Sequence, residues 1–254
     1  ATRTPTVCFS WTRCTGGVAA MAEGRIAADV LEFRRGHGEF AAAEAAFPLP
    51  VAGRYRILSL LSATEHSQVY LVADRQTGER RVLKVRPARG DAEGEPVLKR
   101  LRLPCIPRYV GGYTAGNRVF LLREYVEGET LAEYLDARAP LGTAEALAIA
   151  VRICGVLAYL HGLDTPVIYR DIKPENIIIT ENGGVSLIDF DIARAYNEAA
   201  KNDTEYYGTR AYSPPEQYGY AQTDARTDIY SLGVLLLYML TGKRDRDSLP
   251  VIQD

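Results

Sequence analysis

The sequence has no excess of charge of either sign, because 30 Lys and Arg residues nearly balance 32 Asp and Glu residues. This balance argues against a nucleic-acid partner, since binding to a phosphate backbone requires a broad positive surface. The four cysteines contain no Cys-x-x-Cys pair and have no metal-ligand spacing with the three histidines. Their pattern indicates reduced thiols and not a disulfide framework or a zinc site.

Long hydrophobic runs are also missing. The longest apolar candidate, Leu232–Leu240, is much shorter than the ~20 residues that a transmembrane helix needs. The first 20 residues lack the continuous apolar segment of a signal peptide. We therefore expect no membrane span in this fragment and a cytoplasmic location. A membrane anchor beyond residue 254 of a full-length protein stays open as an alternative.

The chain divides by composition into three parts. Residues 1–50 form an N-terminal extension that begins without Met and carries one short helical pattern over residues 22–35. Residues 51–126 are rich in strand patterns, and residues 127–254 are rich in helical ones. The sequence therefore predicts an α+β fold with a sheet lobe and a mostly helical lobe. The extension either docks on this domain or is partly disordered.

Five β-rich runs in the first lobe predict an antiparallel sheet, and they are Tyr55–Leu61, Val69–Ala73, Arg81–Val85, Tyr109–Tyr113 and Val119–Tyr125. One helix is predicted over residues 92–102. The second lobe has predicted helices at Leu131–Ala137, Thr143–His161 and Asp228–Thr241, and short strands at Ile177–Thr180 and Val185–Ile188. Because the last helix is nearly apolar all round, we expect it in the middle of its lobe.

The run Tyr169–Asn176 carries the clearest chemical signal. Phosphoryl transfer needs a cation on the phosphates, a metal held by oxygen ligands and a carboxylate near the attacking hydroxyl. Asp171 and Asn176 are five residues apart, and Pro174 between them argues against a continuous helix. In such a loop Asp171 would accept the hydroxyl proton, Lys173 would neutralise the transferred phosphoryl group and Asn176 would offer an amide oxygen to Mg²⁺.

Two further residues fit the same chemistry. Asp189 follows the predicted apolar strand Val185–Ile188, where its carboxylate would bind a bridging Mg²⁺. Lys84 lies on the predicted strand Arg81–Val85, from which its ammonium would reach the α- and β-phosphates. The implied cofactors are ATP and Mg²⁺, with Mn²⁺ as an alternative metal.

Over about residues 54–243 the chain resembles the bacterial eukaryotic-like (Hanks-type) Ser/Thr protein kinases. The run Tyr169–Asn176 is similar to the His-Arg-Asp…Asn catalytic loop, and Asp189–Asp191 is similar to the Asp-Phe-Gly motif. Gly208–Glu216 resembles the segment that ends in Ala-Pro-Glu, and Asp228–Gly233 resembles the start of the central helix. Four ordered motifs at family spacing are a specific signal, whereas any one alone would be weak.

The resemblance implies a protein-kinase-like two-lobe fold. It also implies transfer of the γ-phosphate of MgATP to Ser/Thr hydroxyls of proteins, with autophosphorylation. Lys173, two residues after Asp171, favours Ser/Thr over Tyr as acceptor. Two alternatives stay open: a pseudokinase that acts as a nucleotide- or protein-binding scaffold, and a small-molecule kinase of similar fold.

The resemblance also assigns an ATP site and a substrate segment. The ATP-binding positions are Ser62, Ala63, Thr64 and Ser67 in the nucleotide loop, Val69, Val82 and Ile178 around the purine, Lys84 on the phosphates, and Glu124 and Val126 in the hinge. Thr209 would bond Asp171 and Lys173, and Glu216 would end the substrate-binding segment. A helix carboxylate, Glu95 or else Glu93, would form the ion pair with Lys84.

Several positions depart from the family pattern. The three glycine positions of the nucleotide loop hold Ser62, Thr64 and Ser67, which predicts weaker nucleotide binding or a differently shaped loop, because glycine allows the closest approach of backbone to phosphate. Tyr169 replaces the family's histidine, Asp191 replaces the glycine after Asp-Phe, and Arg123 stands at the gatekeeper position behind adenine.

The C-terminal end is the largest departure. The family continues through three or more helices after the central one, but this chain ends at Asp254, a few residues beyond Gly242. The resemblance therefore implies a C-terminally truncated catalytic domain, in which apolar faces of the central helix would lack their usual cover.

Arg170, directly before Asp171, implies an anionic partner in the active state, and phosphorylated Thr204 is the first candidate. We expect an active preparation to carry phosphate at Thr204, measured by mass spectrometry of peptides that cover residues 196–209. Active protein without phosphate anywhere in these residues would contradict the prediction.

Overall fold

A computed structural model of the chain describes residues 47–65, 67–88, 94–196 and 223–243, together with residues 43, 212 and 214. The chain divides into two compact units, Ala1–Phe47 and Pro48–Asp254. All the elements below belong to the second unit. The helix predicted over residues 22–35 lies outside the described residues. The predicted extension 1–50 and the lobe boundary at residue 126 stay predictions.

The first lobe is a five-stranded antiparallel sheet in the order β1-β2-β3-β5-β4. Its elements are α1 (Leu49–Ala52), β1 (Tyr55–Ala63), β2 (Gln68–Asp74), β3 (Arg80–Pro87), α2 (Gly94–Arg100), β4 (Tyr109–Ala115) and β5 (Arg118–Glu124). All five predicted strands are present. In β3, Val82, Leu83 and Val85 are buried and lock the strand into the core, which fixes where Lys84 can point.

The second lobe is mostly helical, with short strands around its loops. Its elements are β6 (Glu129–Thr130), α3 (Leu131–Arg138), α4 (Thr143–His161), β7 (Val167–Ile168), a 3₁₀ turn (Pro174–Asn176), β8 (Ile177–Ile179), β9 (Val185–Leu187), β10 (Arg194–Ala195) and α5 (Ala225–Thr241). Strands β6, β8 and β9 form one small sheet, and β7 and β10 form another. The predicted α+β architecture, with a sheet lobe and a mostly helical lobe, is therefore confirmed.

Helix α5 lies in the core of this lobe, as its apolar composition predicts. Leu235 and Met239 are fully buried, and α5 packs on α4. The helix begins at Ala225, three residues before the predicted start, because the Asp224 side chain caps it by accepting the Arg226 N–H at 2.8 Å. Buried Ser231 donates its hydroxyl hydrogen to a backbone carbonyl, which satisfies a polar group inside the core.

Helix α4 is the one helix among the described residues that is long and apolar enough to span a membrane by length and composition. Glu145 and Arg152 interrupt its apolar sequence, so it contains no long continuous apolar run. The buried face of α4, including Ile153 and Leu157, belongs to the same core as α5. Core helices of globular domains share this composition, so the helix is weak evidence for a span.

Gly128 combines a positive φ with close packing against β8. Its φ is 148°, and an added Cβ would overlap the Ile179 carbonyl oxygen and lie 2.7 Å from Ile178 Cγ2. Gly78 also has positive φ, at 75°, but an added Cβ there meets nothing within 4 Å. Comparing substitutions at the two glycines therefore distinguishes the cost of positive φ alone from the cost of positive φ combined with steric overlap.

We expect Gly128→Ala to lower the free energy of unfolding by about 3 kcal/mol, because strain and overlap add. Gly78→Ala, the matched control, should cost about 1 kcal/mol from strain alone. Urea unfolding followed by circular dichroism measures both. Equal losses for the two variants would contradict the steric argument.

Candidate active site

The catalytic loop is held by one buried carboxylate on α5. Asp228 is fully buried, and its oxygens accept the backbone N–H of Tyr169 at 2.9 Å and of Arg170 at 2.8 Å. His161, at the end of α4, lies 2.8 Å from the same carboxylate through Nε2. Three partners from two other segments therefore converge on Asp228. Such a charge-assisted cluster fixes the backbone that precedes Asp171.

Arg170 adopts a conformation that L-residues rarely occupy. Its φ is 67°, and it is the one non-glycine residue with positive φ among the described residues. This backbone costs free energy and persists only where neighbours hold it. The Asp228 carboxylate accepts a hydrogen bond from the Arg170 N–H, and the Ile192 carbonyl accepts a 2.6 Å hydrogen bond from Arg170 Nε. The kink turns the chain directly before Asp171.

Asp171, Lys173 and Asn176 are brought together as the sequence predicts. Asn176 Nδ2 donates to Asp171 Oδ2 at 2.6 Å and to the Asp171 carbonyl at 3.0 Å. Lys173 Nζ lies 2.8 Å from the same Oδ2. Burial raises the pKa of Asp171 above its ordinary value, although Lys173 acts in the opposite direction. The cluster is a carboxylate of increased basicity beside a cation.

The amide of Asn176 is oriented by this cluster. Because Nδ2 faces Asp171, the amide oxygen Oδ1 is the group that remains to ligate a cation. The Asn176 carbonyl accepts the N–H of Ile188 at 3.0 Å, which ties the 3₁₀ turn to the end of β9, one residue before Asp189. An amide and a carboxylate oxygen are therefore carried by adjoining segments, and these are the donors that Mg²⁺ prefers.

Lys84 lies between two carboxylates. Its Nζ is 2.7 Å from Asp189 Oδ2 and 2.8 Å from Asp191 Oδ2. Burial alone would lower the pKa of Lys84, but the two carboxylates outweigh it and raise the pKa. Burial would likewise raise the pKa of Asp189, yet Lys84 and Arg123 hold it below its ordinary value. The predicted phosphate cation and the predicted metal ligand are in direct contact.

Arg123 lies behind this pair, in a small cavity that Leu98, Phe190 and Asp191 also line. Its Nη1 is buried and has no hydrogen-bond partner in the part of the chain that the structure describes. Burial lowers the pKa of Arg123, while Asp189 and Asp191 oppose the shift. The gatekeeper position therefore holds a cation next to two acidic side chains.

Tyr169 is a packing residue in this site. It is fully buried, and its ring meets Phe190 edge-on, with 5.0 Å between centroids and 75° between planes. Phe190 is itself buried, so the segment that carries Asp189 and Asp191 is anchored on the catalytic loop.

The nucleotide loop closes on itself through hydroxyl groups. The Thr64 N–H donates to the Ser67 carbonyl at 2.8 Å, and the Ser67 N–H donates to Thr64 Oγ1 at 3.0 Å. Ser62, Ala63 and Thr64 are exposed, and Ser67 is half-buried. Two of the N–H groups that a glycine-rich loop offers to phosphates are thus used within this turn.

The positions expected around adenine lie on both lobes. Val82 and Ile178 are buried, and Val69 is half-buried opposite Lys84 in the β2–β3 pairing. Glu124 ends β5, where its side chain accepts a 2.7 Å hydrogen bond from Arg108, and Val126 follows in the connecting segment. Their roles toward a nucleotide stay predictions.

Several predicted residues cannot be placed. Thr204, Thr209, Glu216 and Glu93 lie outside the described residues, and of Glu95 only the backbone, within α2, is described. The carboxylates on Lys84 among the described residues belong to Asp189 and Asp191. The helix glutamate remains a prediction.

Sequence reasoning missed the structural role of Asp228 and the contact of Asp191 with Lys84. The signal for Asp228 was an acidic residue in the first turn of a helix expected in the core, since an acidic side chain is buried only with partners. The signal for Asp191 was a second acidic side chain two residues after Asp189.

Comparisons with known proteins agree with this geometry. Residues 55–247 match the family described as "Protein kinase domain". The chain is 33% identical over 205 residues to serine/threonine-protein kinase PrkC of Bacillus subtilis, covering 76% of this chain and 31% of the relative. It is 35% identical over 201 residues to serine/threonine-protein kinase PknL of Mycobacterium bovis, covering 74% of this chain and 49% of the relative. The chain thus spans a third to a half of these relatives' length.

We expect Asp228→Asn to lower the free energy of unfolding by about 2–4 kcal/mol, because the amide places an NH₂ group against buried donors. Asp224→Asn is the matched control on the same helix, since Asn caps a helix as well as Asp and should change stability by less than about 0.5 kcal/mol. Urea unfolding compares the two. Equal effects would show that Asp228 does not hold the loop in this way.

Proposed function

The chain belongs to the protein kinase family, and on that premise we propose that it is the catalytic part of a serine/threonine protein kinase. It transfers the γ-phosphate of MgATP to Ser or Thr hydroxyls of proteins, itself among them. The activity is a proposal because the matches cover only 31% and 49% of these two relatives.

The observation that carries this proposal is the hydrogen-bonded cluster of Asp171, Lys173 and Asn176. Asp171 accepts the proton of the acceptor hydroxyl as its oxygen attacks the γ-phosphorus. Its raised pKa suits this role, because a stronger base shares the proton earlier in the transition state. Lys173 places positive charge beside the phosphoryl group as its bond to the leaving oxygen breaks.

Asp189 and Asn176 would hold Mg²⁺, since they supply the oxygen donors. No group of three or more His, Cys, Asp or Glu side chains with metal-site geometry occurs among the described residues. Phosphate oxygens would complete the coordination. When bound, Mg²⁺ would neutralise charge on the phosphates. Lys84 would bind the α- and β-phosphates.

The purine would lie between Val69 and Val82 above and Ile178 below, with the Glu124 carbonyl and the Val126 backbone as its hydrogen-bond partners. The nucleotide loop, Ser62–Ser67, would cover the phosphates. Because Thr64 and Ser67 use backbone groups within the turn, we expect this loop to contribute less binding free energy than a glycine-rich loop. No observation favours the scaffold alternative.

Thr209 and Glu216 would shape the surface that receives the protein substrate, and phosphorylated Thr204 would pair with Arg170. A cytoplasmic location follows from the proposal, because the enzyme consumes ATP.

We expect Asp171→Asn to lower phosphate transfer by about 10²–10⁴-fold, the usual contribution of a positioned general base. Nucleotide affinity should stay within about threefold, because Asp171 does not hold the phosphates. Incorporation of radiolabelled phosphate measures transfer, and displacement of a fluorescent nucleotide measures binding. Asp164→Asn, an exposed carboxylate near the end of α4, is the surface control.

Binding and transfer assays of the unsubstituted protein distinguish the protein kinase from the scaffold and from the small-molecule kinase. Nucleotide binding without transfer, with either Mg²⁺ or Mn²⁺ and on itself or generic protein substrates, would contradict the enzyme and support the scaffold. Transfer to small molecules but to no protein would support the small-molecule kinase.

A further inference from the structure

Lys84 has two carboxylate partners, Asp189 and Asp191. Only Asp189 has a further proposed role, which is to ligate the metal. Asp189 Oδ2 lies 2.7 Å from Nζ and Asp191 Oδ2 lies 2.8 Å from it. Under the proposed function, on which this inference rests, Asp189 is a metal ligand. When Asp189 ligates a metal, its oxygens are directed to the cation and no longer neutralise the ammonium. Asp191 is then the described carboxylate that can keep Lys84 in place.

Cations from two strands lie around the Asp191 carboxylate. Lys84 touches it, and Arg86 Nε lies 3.9 Å away from the same oxygen. The buried guanidinium of Arg123 lines the cavity on the other side. Three cations from β3 and β5 thus surround the two acidic side chains.

The segment that carries Asp191 is fixed at several points. The Asp191 N–H donates to Asp189 Oδ1 at 3.2 Å, and the Ala193 N–H donates to the Phe190 carbonyl at 3.1 Å. Phe190 is buried against Tyr169, and the Ile192 carbonyl accepts the hydrogen bond from Arg170. The contacts of this segment with the catalytic loop therefore help to fix the position of Asp191.

We propose that Asp191 is the positioning residue for Lys84, taking the role that the resemblance gives to a glutamate of helix α2. Its carboxylate directs the ammonium toward the phosphates while Asp189 is engaged by metal. The glycine that the family has at this position cannot do this, because it has no side chain.

The test compares ligands with and without phosphates on the full chain with saturating Mg²⁺, the condition in which the proposal has Asp189 engaged by the metal. ADP carries the phosphates that Lys84 holds, and adenosine does not. We expect Asp191→Asn to weaken ADP binding about tenfold, the usual size of coupling between contacting charged side chains. Adenosine binding should change by less than about twofold, which also reports that the variant is folded. Asp191→Glu should restore most of the ADP affinity.

A double-mutant cycle with Lys84→Met isolates the pair. In the Lys84→Met background, Asp191→Asn should have no further effect on ADP affinity. Glu95→Gln and Glu93→Gln are the competing variants, and each should weaken ADP binding less than Asp191→Asn does. Displacement of a fluorescent nucleotide measures all of these affinities.

Four results would overturn the proposal. In the first, Asp191→Asn binds ADP as tightly as the unsubstituted chain or more tightly, which would make Asp191 a competitor of the phosphates. In the second, ADP and adenosine binding fall together. In the third, a helix glutamate variant shows the larger ADP-specific loss. In the fourth, the unsubstituted chain does not bind ADP. Absence of phosphate transfer with the expected binding pattern would contradict the proposed function alone.

Discussion

The buried carboxylate of Asp228 is the constraint on which the active site depends. It accepts the N–H groups of Tyr169 and Arg170 and contacts His161, so one side chain of α5 fixes the entry to the catalytic loop. The positive φ of Arg170 is tolerated because of these bonds. Asp171 follows directly, and its own bonds to Lys173 and Asn176 complete the loop. A carboxylate outside the proposed chemistry therefore positions the residues to which that chemistry is assigned.

A second network assembles from residues that depart from the family pattern. Asp191 adds a negative charge where the family has glycine, and Arg123 adds a buried positive charge where an apolar side chain is commoner. The two changes are complementary, because a lone extra charge in this enclosed space would be costly and an opposite one nearby reduces the cost. Tyr169 adds the aromatic surface against which Phe190 packs. Sequence differences that look independent along the chain meet around Lys84.

Much of the fold was predictable because local patterns and tertiary packing agree. All five strands of the first lobe and helix α4 were predicted, since alternating burial and apolar faces repeat at regular spacing. The start of α5 was predicted three residues late, because an Asp cap is a local hydrogen bond that the apolar pattern does not contain. The cluster of Asp171, Lys173 and Asn176 was predictable from short-range spacing. The contacts of Asp228 and Asp191 were not, since they join residues distant in sequence, and a motif does not show which side chains meet across a cleft.

The distance in sequence between Asp228 and the loop it holds has a consequence for synthesis of the chain. The hydrogen bond from the Tyr169 N–H spans 59 residues, and the contact with His161 spans 67. A nascent chain that has left the ribosome as far as β9 already contains Lys84, Asp171, Lys173 and Asn176. It lacks the carboxylate that bends the backbone at Arg170, so the loop has no reason to adopt its strained shape. Translation of α5 therefore supplies the contact that holds the proposed catalytic loop in its bent conformation.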